Sequence, residues 1–181
     1  MTTEALYKAV LETTVHVASR ERTLLKIGNS KEVVSFLIAY SFQVNDPIHI
    51  NACLLLQEIV SADIVKILPH LPYFLEHLDK VTNESSKRLL SRISHLLVKS
   101  KKVELTDLQE KRLVDIALLW LVSNSKVATE SFAMDILLLL CTKYKEEVFL
   151  ASEIIEGNYS TKSVAYQNKA KKFLKHAMTL A

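Results

Sequence analysis

The sequence predicts an all-α fold assembled as a stack of antiparallel helix pairs, and three observations carry that expectation. Glycine and proline are scarce, two and three among 181 residues, whereas tight hairpins, bulges and phosphate-cradling loops draw on glycine at positive φ. The good helix formers Leu, Ala, Lys and Glu are abundant instead. Apolar residues then recur at helical spacing, in segments that overlay on one another at intervals near 40 residues.

Length and composition bound the rest. A chain of 181 residues suits one domain spanning 1–181, or about four helix pairs of roughly 40 residues each. Hydrophobic residues make up 49% and charged residues 24%, which fits a folded chain and argues against disorder. The net charge of +3 falls short of a dedicated nucleic-acid binder, though it permits such a partner. The start MTTEALYKAV has no basic region leading into an apolar core, and Ile136 to Cys141 is far too short to span a bilayer. The expectation is a soluble, cytoplasmic protein with no membrane partner. Cys53 and Cys141 sit among leucines and isoleucines and are expected to be buried, reduced thiols.

The elements follow in order. Leu6, Val10, Leu11 and Val17 mark a first helix from Glu4 to about Ala18, with a polar SRER stretch and a turn ending near Gly28. Ser30 is placed to cap a second helix with the stripe Val33, Val34, Leu37 and Ile38. Asp46 as N-cap with Pro47 at N1 predicts the third start, followed by Ala52, Leu55, Leu56, Ile59 and Val60 on one face. From Ile64 a further segment should be kinked or restarted at Pro69 and Pro72, before Phe74, Leu75 and Leu78 continue it. Asn83 is expected to cap a helix that turns Leu89, Leu90, Ile93, Leu96 and Leu97 inward. Thr106 and Gln109 form a capping-box pair opening a helix to about Val122. Ser125 is expected to cap Lys126 to about Tyr144, and Glu147 to Glu156 should end at a left-handed Gly157. The last helix is predicted from Ser163 to Thr179, with contacts from Val164, Ala165, Phe173, Leu174 and Ala177.

Overlaying the helices exposes the repeat. Ala52, Leu55, Leu56, Ile59, Val60 matches Ala133, Ile136, Leu137, Leu140, Cys141 at an offset of 81, and Leu89, Arg92, Ile93, Leu96, Leu97 divides that offset into 37 and 44. Two-helix periods of about 40 are the mark of an α-α superhelix of HEAT/armadillo-like antiparallel helix pairs, since no pair buries its apolar faces alone. A closed helical bundle is the alternative.

The stretch KVATESFAMDILLLLCTKYKEEVFLASEIIEGNYSTKSVAYQNKAKKFLK, together with DPIHINACLLLQEIV and ILPHLPYFLEHL, resembles a family of short bacterial HEAT-like repeat proteins that often carry the label adenylosuccinate lyase. The resemblance covers most of the chain and rests on packing motifs, so it implies an α-superhelix and leaves the chemistry open. True adenylosuccinate lyases are more than twice as long and carry a serine loop with Gly-Ser-Ser, Met-Pro and Asn-Pro elements. Here Ser85 and Ser86 lead into KRLLSRIS, with none of those elements nearby. The label is therefore judged unsupported.

No catalytic motif, cofactor motif or metal-ligand set is found, and the expectation is that the protein is not an enzyme. His16, His49, His70, His77, His95 and His176 are scattered, and only His70 and His77 lie close together. Asp115 and Asp135 interrupt apolar helices and are read as carboxylates at helix edges, while Trp120 is read as core. The expected function is a non-catalytic interaction module for a protein or peptide, marked by exposed aromatics such as Tyr40, Phe42, Tyr144 or Tyr166. The alternative is nucleic-acid binding through a basic surface of Lys87, Arg88, Arg92, Lys99, Lys169 and Lys172. A small enzyme is the third possibility.

Overall fold

A computed structural model describes residues 1–180. Those residues form ten α-helices and no strand, and they divide into two compact units, Met1–Ile93 and Ser94 onward. The division falls inside one helix, Glu84–Lys99.

The first unit opens with α1 (Thr3–Leu11) and α2 (Val17–Ile27). Thr2 caps α1 by accepting the Ala5 amide at 3.2 Å. The expected single helix to Ala18 is thus two helices, and the polar SRER stretch expected to follow it lies inside α2. Charged residues are competent helix formers once their apolar neighbours have a partner to lean on. That partner is α1, joined through the Thr13 and Thr23 hydroxyls 2.8 Å apart, with Thr13 also donating to the Ala9 carbonyl at 3.0 Å. Gly28 ends α2 at φ +71°, a region that favours glycine.

Next come α3 (Lys31–Ser41) and α4 (His49–Ala62). Ser30 caps α3 as expected, and Val33, Val34, Leu37 and Ile38 are all buried. At α4 the cap is Ile48 rather than Asp46, which stands two residues further out and accepts the Ile48 amide at 2.9 Å. Asp46 and Pro47 build the turn before the helix, so the aspartate does its work earlier than predicted. The α4 stripe is buried as read, but Cys53, Leu54 and Gln57 are buried too. A helix apolar on nearly every side belongs at the centre of its unit. Asn51 of α4 donates to the Val10 and Thr13 carbonyls at 3.0 and 2.8 Å, tying α4 to the end of α1 and the turn after it.

Pro69 sits in a 3₁₀ segment, Ile64–His70, and Pro72 in the first turn of α5 (Leu71–His77). The expected restart is there because a proline amide is not missed in a first turn. Asn83 opens α6 (Glu84–Lys99), its Oδ1 accepting the Ser85 and Ser86 amides at 2.9 and 3.3 Å. Leu89, Leu90, Ile93 and Leu97 of α6 are buried, whereas Leu96 is only half-buried.

The second unit contains α7 (Asp107–Val122), α8 (Val127–Leu139), α9 (Lys145–Asn158) and α10 (Val164–Ala177). The Thr106–Gln109 capping box forms with both hydrogen bonds. Packing follows a simple rule: α7 against α8, α9 against α10, then α7 against α9 and α8 against α10. First helix meets first and second meets second. Trp120 lies in this unit's core, 2% exposed.

Three boundaries differ from expectation. Ser125 is buried with its hydroxyl 3.1 Å from that of Ser123, and Lys126 takes the cap position of α8 without a side-chain bond. The cause is Asn124, whose left-handed φ of 54° makes a tight turn after α7. α8 then stops at Leu139 rather than Tyr144, its ladder passing into tighter turns in which the Cys141 amide donates to the Leu138 carbonyl and the Lys143 amide to the Leu140 carbonyl, while the Tyr144 hydroxyl donates to the Asp107 carbonyl at 3.1 Å. Gly157 lies inside α9, which ends at Asn158, so no left-handed glycine stops it. In α10 the capping Ser163 is as expected, but Val164 and Ala165 are exposed and the packed face is Tyr166, Ala170, Phe173 and Ala177.

Candidate interaction surfaces

The aromatic side chains of the first unit gather in two groups. Phe36 and Tyr40 lie one turn apart on α3 with ring centroids 4.5 Å apart and planes tilted by 38°, and Tyr7 of α1 meets Tyr40 edge-on at 5.5 Å. The Tyr7 hydroxyl donates to Asp46 Oδ1 at 3.1 Å, and burial, then that carboxylate, hold its ionisation above the usual range. The second group forms where Phe42, just past α3, meets Tyr73, Phe74 and His77 of α5 at centroid distances of 5.5 to 6.0 Å. Tyr73 and His77 stack at 4.1 Å, with His77 Nδ1 2.9 Å from the Tyr73 carbonyl. Tyr73 is 42% exposed, and Phe42 and His77 are half-buried. An open hollow of about 510 Å³ adjoins Phe42, lined by Phe42 through Pro47. A second, of about 460 Å³, is lined by Lys31, Glu32, Ser35, Phe36 and His70.

Of the four aromatics expected to mark a surface, Tyr40 and Phe42 are half-buried members of these groups. Tyr144 and Tyr166 are not exposed, at 9% and 1%. Tyr144 is drawn in by its bond to Asp107, and Tyr166 by helix packing, with the Lys162 ammonium 5.2 Å from its ring centroid. Phe36, Tyr73 and His77 were missed. Their signal was the spacing Phe36/Tyr40 and Tyr73/His77, each i, i+4, which puts aromatic rings side by side on one helix.

Polar groups inside the first unit are enclosed. His49 Nε2 lies 2.6 Å from the Ser86 hydroxyl and its Nδ1 3.4 Å from the Tyr40 carbonyl. Burial lowers its pKa. Cys53 approaches the Ser41 carbonyl at 3.6 Å, and burial pushes its thiol up to about 11. A buried thiol that resists ionisation is a poor nucleophile, so this Ser, His and Cys neighbourhood is packing chemistry. In the second unit Cys141 lies 3.6 Å from His176 Nε2. Both cysteines are free and buried. Among the described residues no group of three His, Cys, Asp or Glu side chains could hold a metal ion.

The basic residues fall on two helices. Lys87, Arg88, Arg92 and Lys99 are on α6, where the spacing from Arg88 to Arg92 to Lys99 keeps those three on one stripe, all exposed. Lys87 is half-buried against Glu84 at 2.9 Å. Lys169 and Lys172 are on α10, and they part company: Lys169 pairs with Asp135 of α8, whereas Lys172 is exposed. Asp115 likewise pairs with Lys111 at 2.7 Å, so both singled-out aspartates are ion-paired helix-edge carboxylates. Three other second-unit lysines are spent the same way. Lys111 also reaches Glu147 of α9 at 2.9 Å, Lys143 holds Asp107 and Glu110, and Lys162 meets buried Glu130 at 2.7 Å. Those two carboxylates raise the pKa of Lys143.

No described helix is long and apolar enough to cross a membrane. No family profile, curated protein or solved structure matches this chain.

Proposed function

We propose that the chain is a cytoplasmic, non-catalytic interaction module whose helix pairs follow the HEAT/armadillo type of repeat and whose partner is a protein or peptide. The observation that carries this reading is the half-exposed aromatic surface of the first unit, Phe42, Tyr73 and His77 beside an open hollow. Aromatic side chains are the anchors that protein interfaces favour, because they bury large area with few rotors to immobilise. The repeat is supported by the first-with-first and second-with-second packing of α7 to α10. The resemblance to the HEAT-like family labelled adenylosuccinate lyase supports the same architecture and is carried forward for fold alone.

The test is affinity purification with wild-type protein and a Tyr73→Ala variant of unchanged stability. A partner retained by the first and lost by the second is expected. If both retain the same proteins, the aromatic surface is not the docking site. Lyase activity is checked separately with adenylosuccinate, where turnover above background would overturn the non-catalytic reading.

A further inference from the structure

Every charged residue of α10 is a lysine, and no acidic side chain lies between Gly157 and Ala181. Lys171, Lys172 and Lys175 are exposed, and with Asn168 they occupy the side of the helix opposite the packed Tyr166, Ala170, Phe173 and Ala177. The contrast within the unit is chemical. Lys111, Lys143, Lys162 and Lys169 each hold a carboxylate, whereas Lys171, Lys172 and Lys175 make no ion pair or hydrogen bond among the described residues. Lys171 and Lys172 each face Lys175, at i, i+4 and i, i+3, so the row repels itself. An anion laid along it relieves that repulsion.

We infer that this lysine face of α10 binds the phosphate backbone of double-stranded nucleic acid, without reading its sequence. Three features favour that partner. Lysine is depleted at protein interfaces, and no exposed aromatic accompanies these three, the exposed Val164 and Met178 standing only beyond the two ends of the row, so a peptide has little to grip there beyond charge. Single-stranded nucleic acid is held by stacking on exposed aromatics, which this face lacks. A helix lying in a lipid surface must offer its apolar face to the acyl chains, and in α10 that face is already buried against its own unit. What remains is a row of point charges about one helical turn long, which suits a backbone of regularly spaced phosphates and carries no base-edge readout. The site goes beyond the aromatic surface of the first unit and does not depend on it.

The test is a fluorescence-anisotropy titration of the full chain with a short DNA duplex of mixed sequence at two salt concentrations. Engagement of three phosphates gives a log–log salt slope of about −2.7, so affinity falls roughly 40-fold between 50 and 200 mM salt. Replacing Lys171, Lys172 and Lys175 together by Gln abolishes that slope while circular dichroism stays helical. Arg88→Gln with Arg92→Gln on α6 leaves it intact. Absence of duplex binding by the wild-type chain at 50 mM salt overturns the assignment, as does binding that survives the triple substitution. Binding to phosphatidylserine vesicles without binding to the duplex overturns it equally.

Discussion

The first unit carries ten basic and ten acidic side chains, whereas the second carries thirteen basic and ten acidic, so the whole +3 excess belongs to the second. Their interiors differ in the same sense. The first unit is centred on α4, buried nearly all round, and joins its helices mainly with neutral bonds such as His49 to Ser86 and Asn51 to two carbonyls, beside an Arg20–Glu58 ion pair at 3.5 Å. The second ties successive helix pairs with lysine–carboxylate pairs 36, 34 and 32 residues apart, Lys111–Glu147, Lys169–Asp135 and Lys162–Glu130. Helices packed first against first and second against second bring residues a helix pair apart into reach, and opposite charges there hold the packing. The first unit leaves half-exposed aromatics instead. The two units therefore offer different surfaces, one apolar and neutral, the other cationic.

The largest effect is expected from Phe74→Ala in the first unit, where a fully buried ring is replaced by a cavity worth about 3–5 kcal/mol. Urea unfolding measures it, and a loss below about 1 kcal/mol would show that this core collapses around the gap. In the second unit, Lys162→Met removes one cation from Glu130, which is 1% exposed, and should cost about 3 kcal/mol. Adding Glu130→Met should restore much of that loss, because a buried charge that has lost part of its compensation, and not the missing attraction, is the main penalty. A double variant as unstable as the single one would contradict it.

Smaller effects sharpen the contrast. Thr106→Ala removes one half of the capping box of α7 and should cost about 1 kcal/mol. The two units should also differ in acid. Burial holds the His49 pKa below 6.5 in the fold, while in the unfolded chain the imidazole takes its proton near that ordinary value. The unfolded state therefore binds more protons, and stability is full above about pH 6.5 and falls as pH drops toward the folded value. A His49→Asn variant should flatten the decline in denaturation midpoint between about pH 7 and 5. An unchanged slope would assign the acid sensitivity elsewhere. The smallest perturbation is a thiol titration of the native protein. At a pKa of about 11, Cys53 is only about 0.1% ionised at pH 8, and it should react only on unfolding. Cys141, 6% exposed, should supply any fast-reacting thiol, and Cys141→Ser should remove it.

Much of the helical content was legible because it rests on local signals. Ser30, Asn83, Thr106 and Ser163 act at helix starts as the sequence implied, since a cap needs only its own amides two or three residues on. The stripes of α3, α4 and α6 were visible as periodicity. Helix α2 was missed because its charged exterior hides a helix whose stability comes from α1, and Gly157 misled because glycine permits a stop without compelling one. Of the candidate surfaces, the basic residues were legible as a composition and the aromatic groups only in part.

Composition and spacing were enough to require helices, to mark most of their starts, and to choose which side of most helices faces inward, because each of these depends on neighbours within a turn or two. Whether a given lysine is spent or available could not be read that way. Lys169 and Lys172 stand three residues apart on one helix, yet one meets Asp135 across the packed pair and the other faces solvent. Tyr40 and Tyr166 are likewise the same residue type on similar helices, one half-exposed and one enclosed. An ion pair or an aromatic contact between helices joins residues more than 30 positions apart, and only the tertiary arrangement brings such partners within reach.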